Sequence, residues 1–317
     1  MPRRSFIGVI LVLGGLVAYA VFGGLRGAAG PAGEASFVSA FTWQSDDPDF
    51  GGFSGFEISE DGRDFVALSD LGRWTNGRFE RDDAGRIIGF TADPLEPLRD
   101  PDGNRLIGGA ADSEGLAVAP DGTLYASFEI ETRILRYDSL DGPATSLPSP
   151  SIFKKMRSNR SLEALAVDGR GWLYTLPEET MIKGADFPLF VFDGQDWHQP
   201  VTIPRRGNFL PVGADFGPDG RFYLLERAFY GLAGFATRVR VFTLADDRIS
   251  AEETVLQTEK GRHDNLEGLA VWRDPDGHIR LTMVSDDNHV FFLRNEIVEY
   301  RLPIANALPI DTDAAES

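Results

Sequence analysis

Acidic residues recur at equivalent places along this chain, beside short apolar runs that flank tight turns. The clearest copy is residues 112–129, where two β-rich runs surround the Asp121-Gly122 turn, a strong hairpin signal. The acids that end the second run of each copy are Asp70, Glu129, Glu178, Glu226 and Asp286. The acids that open the first run are Glu114, Glu163 and Glu267. In an antiparallel hairpin these two positions are neighbours, so the pattern predicts many carboxylates along one edge.

The elements that position these acids form a repeat. The turns that mark its copies fall at Asp61, Asp121, Arg170, Asp219 and Asp276. Further strand-like runs follow each hairpin, and four antiparallel strands repeated about every 50 residues are typical of a β-propeller. We therefore expect an all-β fold, a single β-propeller of five blades with four antiparallel strands each. The N-terminal strand at residues 36–43 would supply the missing outer strand of the last blade and close the ring, and residues 97–110 leave room for a sixth blade as the alternative.

The N-terminal region has the features of an export signal or a membrane-spanning segment. Arg3 and Arg4 precede an apolar run at residues 6–22, which contains the small-x-small sequence Ala18-Tyr19-Ala20. Residues 1–25 are thus expected to be either a cleaved signal peptide or a membrane anchor that spans residues 5–25. Both readings predict an exported protein, periplasmic or extracellular. We expect a linker at 26–35, the propeller at 36–303 and a flexible acidic tail at 304–317.

Composition excludes several classes of function. With 31 basic and 49 acidic side chains, the chain has a net charge of −18, which disfavours binding to nucleic-acid phosphates. The absence of cysteine excludes disulfides, Cys-ligated zinc, iron–sulfur clusters and cysteine nucleophiles. We expect a monomer that acts on a small molecule and meets a membrane only through an uncleaved N-terminal segment.

The acidic edge predicts a cation site at one mouth of the propeller channel. Two copies lack an acid at the start of the first run and carry one three positions later, at Glu57 and Asp215. The full set of candidate metal ligands is Glu57, Asp70, Glu114, Glu129, Glu163, Glu178, Asp215, Glu226, Glu267 and Asp286. Oxygen ligands without cysteine favour Ca²⁺ first and Mg²⁺ second. Two other readings stay open: the acids pair with arginines to hold blades together, or the ring binds a cationic ligand directly.

Basic residues accompany the acids. Those that lie nearest to them in sequence are Arg73, Arg160, Arg227 and His263. They are fewer than the acids, so they cannot neutralise the predicted ring on their own.

Several segments together resemble a known family. They are residues 50–57, 67–70, 112–118, 161–165, 211–216 and 263–271. In combination they resemble the phytase-like family, described as having esterase-like activity of phytase, and the chain is more distantly similar to calcium-dependent β-propeller phytases. The resemblance covers residues 50–302 and implies an exported propeller that hydrolyses a phosphoester or a carboxylic ester with the help of calcium.

On this basis we expect a calcium-dependent hydrolase that prefers phosphoesters. The ten acids would supply the metal ligands and the general base, and Arg73, Arg160, Arg227 and His263 would bind the substrate oxyanion or assist the leaving group. Two alternatives remain at this stage. One is a non-enzymatic periplasmic binding module with a structural ion; the other is a metal-dependent carboxylic esterase or lactonase on the same fold.

Overall fold

The computed structural model describes residues 35–156, 160–245, 248–290 and 293–304, which fold into five antiparallel sheets. The strands of blade 1 are β2 (Phe53–Ile58), β3 (Asp64–Ser69), β4 (Arg73–Arg81), β5 (Ile87–Ala92) and the short β6 (Glu96–Pro97). Blade 2 consists of β7 (Ser113–Val118), β8 (Leu124–Phe128), β9 (Arg133–Tyr137) and β10 (Thr145–Ser146). Blade 3 consists of β11 (Leu162–Val167), β12 (Leu173–Pro177), β13 (Phe187–Phe192) and β14 (Trp197–Ile203).

Blade 4 consists of β15 (Leu210–Phe216), β16 (Phe222–Phe229), β17 (Phe235–Ala245) and β18 (Arg248–Gln257). Blade 5 consists of β19 (Asn265–Arg273), β20 (Ile279–Asp286), β21 (Asn295–Arg301) and β1 (Ser36–Trp43). The innermost strands β2, β7, β11, β15 and β19 contact one another in sequence, and β19 contacts β2, which completes the circle. The predicted five-bladed propeller is therefore confirmed.

The N-terminal strand closes the ring as predicted. Strand β1 pairs antiparallel with β21, from Ser36 opposite Arg301 to Trp43 opposite Asn295. Trp43 then stacks on Phe53 of blade 1 with a ring separation of 4.4 Å. The alternative of six blades is excluded for the described residues, because β6 pairs with β4 of blade 1 and residues 108–111 form a short 3-10 helix.

Charged groups reinforce the same seam between the last and first blades. Arg81 of blade 1 forms a bidentate ion pair with the fully buried Glu299 of blade 5, with both N–O distances 2.8 Å. Arg280 donates to the same carboxylate at 2.8 Å. Two guanidinium groups thus compensate the desolvation of one carboxylate, as a buried ion pair requires.

The apolar core is divided among the interfaces between blades. Five large clusters of buried side chains each draw residues from two neighbouring blades. The cluster between blades 5 and 1, for example, includes Phe53, Phe65, Val284 and Ile297. Because each blade buries both faces of its sheet in this way, the ring is held mainly by hydrophobic burial.

All five inner hairpins share one irregularity. The register of the innermost strand against its neighbour shifts near the start of the strand in every blade. The residues at these shifts are Ser54, Glu114, Glu163, Val212 and Glu267. A β-bulge adds one residue to one strand and redirects its side chain. We call the face where the innermost strands begin the upper face, and the opposite face the lower face.

The structure does not describe the predicted N-terminal segment or most of the predicted tail. Residues 1–34 and 305–317 lie outside the described residues, so the expected signal or anchor, most of the linker and the tail are not addressed by the structure. No helix among the described residues is long and apolar enough to cross a membrane.

The innermost strands approach one another so closely that glycine is required at two of the contacts. A Cβ atom at Gly213 would lie 2.3 Å from the carbonyl oxygen of Glu267 in the next blade, and one at Gly115 would lie 2.7 Å from that of Glu163. Backbone cannot move aside as a flexible side chain can. Glycine at these positions therefore sets how narrow the channel is.

We expect Gly213→Ala to lower the free energy of unfolding by about 1–3 kcal/mol, because the added methyl group overpacks the ring. Gly169→Ala is the matched control, since a Cβ there would meet nothing within 4 Å. Urea unfolding of both variants and the parent protein measures the difference. Equal losses in the two variants would contradict the close approach of the inner strands.

Candidate metal centre

Seven of the ten predicted acids meet at the upper mouth of the channel. They are Asp70, Glu114, Glu129, Glu163, Glu178, Glu267 and Asp286. Glu114 faces the charges of Glu129, Glu267 and Asp70, and Glu163 faces those of Glu114 and Glu178. We call these seven carboxylates the acidic ring.

The acids of the ring come from two kinds of position within a blade. Glu114, Glu163 and Glu267 occupy the bulges of their innermost strands, where the extra residue turns the side chain toward the channel. The other four acids stand at or just after the end of the second strand of their blade, and are Asp70, Glu129, Glu178 and Asp286. The hairpin brings the two positions together, as the sequence pattern predicted.

Three carboxylates have the spacing of metal ligands. Asp112, Glu114 and Glu129 each place one carboxylate oxygen within 4.8 Å of the other two. We call these three side chains the metal-like triad. Oxygens on opposite sides of a Ca²⁺ ion stand about 4.6–5.2 Å apart, given bond lengths of about 2.3–2.6 Å. Ser161 of the next blade fixes Glu129, because its backbone N–H donates to Oε1 at 3.3 Å and its hydroxyl donates to the Glu129 carbonyl at 3.0 Å.

Burial and mutual repulsion make the ring costly when it is fully charged. Burial raises the pKa of Glu114 and of Glu163 well above the usual value, and the neighbouring carboxylates raise both further. The same causes raise the pKa of Asp112 to about 6. Burial likewise raises the pKa of Glu129 to about 7, although a hydrogen bond with Glu163 acts in the opposite direction. At neutral pH the ring without a cation therefore retains protons.

One guanidinium group enters the ring. Arg227 forms an ion pair with Glu178 at 3.2 Å and contacts both Glu267 and Asn265. Asn265 in turn donates to Glu267 at 2.8 Å. Burial works to lower the pKa of Arg227, but Glu267 and Glu178 raise it above its ordinary value, so this side chain is always charged.

The alignment of Glu226 with the ring acids is wrong by one residue. Glu129 and Glu178 each follow their turn glycine by seven residues, and in blade 4 that place is taken by Arg227. Glu226 points to the other face of its strand, where it is fully buried and bound by Arg238 at 2.7 Å and by Arg240 at 2.6 Å. It holds blade 4 together and is not available to a metal.

Glu57 and Asp215 also lie outside the ring. Glu57 accepts a hydrogen bond from the backbone of Val118 at 3.3 Å, and Asp215 accepts one from Val271 at 2.6 Å. Both donors lie far along their innermost strands from the upper face. The two acids instead line a cavity of about 1910 Å³ at the lower mouth. Burial raises the pKa of both, that of Asp215 to about 7, and Asp215 raises that of Glu57 further.

The predicted basic residues are distributed unevenly. Arg227 lies in the ring, and Arg160 lies at its edge, 3.5 Å from Glu179 and 4.0 Å from Glu178. Arg73 pairs with Asp49 at 2.6 Å. His263 is buried and hydrogen-bonded to Tyr300 at 2.7 Å, and none of the contacts described for it involves a ring carboxylate.

The placement of His263 removes it from the expected role. Burial and the nearby Arg262 lower the pKa of His263 to about 4, so its imidazole is neutral under most conditions. A neutral, buried imidazole cannot bind a substrate oxyanion as a cation. The prediction of His263 as an active-site residue therefore finds no support in its geometry.

Sequence reasoning missed three polar groups of the site. Asp112 belongs to the metal-like triad, Asn265 bridges Glu267 and Arg227, and His289 lies 3.2 Å from Asp70. Two of them stand two residues before a bulge glutamate, in Asp112-Ser113-Glu114 and Asn265-Leu266-Glu267. That shared spacing was a usable signal, whereas the contact of His289 with Asp70 joins distant parts of the chain.

The residues present fit a hard divalent cation. The donors of the triad are all carboxylate oxygens, and the ring carries seven acids against one inserted guanidinium. These are properties of a Ca²⁺ or Mg²⁺ site.

A comparison with known proteins matches the chain to a family. A family model named Phytase-like, and described as esterase-like activity of phytase, matches residues 48–289. No curated protein matches the chain.

Three solved structures are similar in fold. The α-L-arabinofuranosidase of Podospora anserina, in complex with cellotriose, has a TM-score of 0.50 at 12% identity, over 84% of this chain and 97% of that one. The PQQ-bound aldose sugar dehydrogenase of Streptomyces coelicolor has a TM-score of 0.44 at 14% identity, over 83% and 98%. An inactive virginiamycin B lyase of Staphylococcus aureus has a TM-score of 0.40 at 13% identity, over 85% and 76%. At these identities the likeness concerns the fold alone.

The raised pKa values predict an unusual dependence of stability on pH. In a chelator, we expect the free energy of unfolding to fall as pH rises from about 5 to 8, because the folded ring holds protons that the unfolded chain has released. This stabilisation is lost as pH passes the folded pKa values of about 6 for Asp112 and about 7 for Glu129. Calcium should reverse the loss at pH 8, since it replaces the protons.

Melting temperatures across this pH range, with calcium and with chelator, provide the measurement. Glu163→Gln should flatten the slope and raise the melting temperature at pH 8 in chelator, because it removes a repelling buried charge. Glu80→Gln, an exposed position on β4, is the control and should change neither. A slope that is unchanged in Glu163→Gln would show that the ring does not titrate as described.

Proposed function

We propose that this chain, which belongs to the phytase-like family, is a calcium-dependent hydrolase of phosphoesters that acts at the acidic ring of the upper channel mouth. The observation that carries the proposal is the ring itself, in which seven carboxylates meet and one guanidinium is inserted beside Glu178 and Glu267. Such an excess of buried negative charge favours bound cations, and bound cations favour an anionic substrate.

The triad of Asp112, Glu114 and Glu129 would hold the cation. When bound, Ca²⁺ would neutralise phosphoryl oxygens and lower the pKa of a water molecule. The hydrogen bonds from Ser161 orient Glu129, and the bulge of β7 fixes the direction of Glu114. Blade 2 thus supplies all three ligands, and Ser161 of blade 3 orients one of them.

Glu163 is placed to accept the proton of the attacking water. It adjoins the triad through its hydrogen bond with Glu129, and burial raises its pKa well above that of an ordinary glutamate. A carboxylate with a raised pKa is a more effective general base near neutral pH. Glu163 also lies outside the triad of ligand oxygens, so the roles of metal ligand and general base fall to different side chains.

Two arginines would contact the substrate. Arg227 exposes 21% of its side chain within the ring, and Arg160 exposes 35% at its edge. A guanidinium group binds phosphoryl oxygens with directed N–H donors. Arg227 also holds Glu178 and Glu267 apart from the triad, which keeps these acids from competing for the same position.

The remaining proposals concern the setting of the reaction. We propose that the protein is exported to the periplasm or the cell exterior, is monomeric, and meets a membrane only through residues 1–25. The sequence of the N-terminal region and the net charge of −18 support these points.

We expect the purified protein to release phosphate from a generic aryl phosphate in the presence of calcium and to lose this activity in chelator. Glu114→Gln should lower kcat/KM by on the order of 100-fold or more, because one ligand and its charge are removed. Glu80→Gln should leave the rate unchanged.

Assays with an aryl phosphate and the matching aryl acetate separate the alternatives. Hydrolysis of the acetate alone would identify a carboxylic esterase. A melting temperature raised by calcium without turnover of either compound would identify a binding module with a structural ion.

A further inference from the structure

A second cavity lies on the upper face between blades 2 and 3. It measures about 410 Å³, and its walls include Ile130, Thr132, Phe153, Lys154 and Met156. Pockets for small ligands have volumes of about 300–1,000 Å³. The cavity is therefore large enough for part of a small molecule.

The cavity adjoins the acidic ring. Ile130, which lines it, directly follows Glu129 of the metal-like triad. Arg133, another lining residue, stacks its guanidinium 4.2 Å above the ring of Phe128 and donates to the carbonyl of Ala110. The cavity thus begins one residue along the chain from the triad.

The walls combine an apolar surface with charged groups, among which Arg133 pairs with Glu131 at 3.6 Å. Ile130 is 46% exposed, and Phe153 is held in place by edge contacts with Phe190 at 5.3 Å and Trp197 at 5.1 Å. Lys154 is exposed at the margin of the cavity. Such a combination suits a ligand that has a hydrocarbon part and a negative charge.

Lysines and exposed apolar side chains also occur elsewhere on the upper face. All lysines of the chain lie in its connections, and they are Lys154, Lys155, Lys183 and Lys260. Most of the large apolar side chains that are exposed in the described part of the chain lie there too, and they are Leu71, Ile107, Ile130, Met181, Ile182 and Leu232. The four lysines of the chain are thus grouped on the same face as the acidic ring.

We infer that the cavity between blades 2 and 3 binds the hydrocarbon part of an alkyl or aryl phosphate monoester whose phosphate lies at the neighbouring triad. This inference rests on the proposed function and specifies its substrate class. Lys154 contributes positive charge beside the phosphate, while Ile130 and Met156 contact the hydrocarbon over the buried Phe153. A polyol that carries many phosphates has no hydrocarbon part to bury against these apolar walls. The cavity would therefore not strengthen its binding.

A series of n-alkyl phosphates from ethyl to octyl tests the inference. With calcium fixed, kcat/KM should rise about fourfold for each methylene that is buried, until the cavity is full. Ile130→Ser should reduce kcat/KM for octyl phosphate at least tenfold more than for ethyl phosphate. Ile88→Ser is the matched control, since Ile88 is 60% exposed on the outer strand β5 of blade 1.

Binding of alkyl phosphonates, which are not hydrolysed, separates the two proposals. Octyl phosphonate should bind more tightly than ethyl phosphonate in the presence of calcium, and Met156→Ser should reduce this preference. Turnover that is independent of chain length, and phosphonate affinities that are equal, would overturn the inference and leave the hydrolase standing. Absence of turnover with a chain-length preference that Ile130→Ser abolishes would support the cavity and overturn the hydrolase.

Discussion

The repeated β-bulge is the feature on which the site depends. Each innermost strand gains one residue at its upper end, and in three blades that residue is a glutamate, Glu114, Glu163 or Glu267. Without the bulge, strict alternation would direct these side chains along the sheet surface and into the packed interfaces between blades. The other two bulges carry Ser54, which donates to the carbonyl of Ser113, and Val212, which is buried in the core. The same local geometry therefore contributes to packing in two blades and supplies a carboxylate of the acidic ring in the other three.

Such a ring is possible only because other interactions stabilise the fold. The acids repel one another and are partly desolvated, so they oppose folding unless they bind protons or cations. Five apolar interfaces and the buried ion pairs of Glu299 hold the blades in place regardless of the state of the ring. Arg227 reduces the repulsion on one side, next to Glu178 and Glu267, and leaves the side of Asp112, Glu114 and Glu129 for a cation. The site is thus asymmetric although the fold is nearly five-fold.

The sequence predicted the architecture well and the membership of the site in part, for identifiable reasons. Turn chemistry and periodicity are local, so the five hairpins and the closing strand could be read from the chain. Glu226 was misplaced because an error of one residue reverses the face of a strand. Glu57 lies three positions after Ser54, which is about 10 Å along a strand and enough to reach the other mouth. Contacts between blades, such as that of His289 with Asp70, join residues that no local pattern connects.

The topology also explains why exposed apolar side chains and lysines collect on the upper face. At the lower face, the first and second strands of every blade are joined by tight turns such as the one at Gly122, which has a φ of 87°. The chain moves between blades, and from second to third strands, at the upper face, through connections such as residues 98–112 and 178–186. Long connections can carry side chains that the sheets do not require for packing. Exposed Ile130, Ile182 and Lys154 occupy such connections, beside acids whose positions the bulges fix. Rigid strands thereby position the carboxylates that fit a cation, while the loops around them are free to vary in the side chains that they carry.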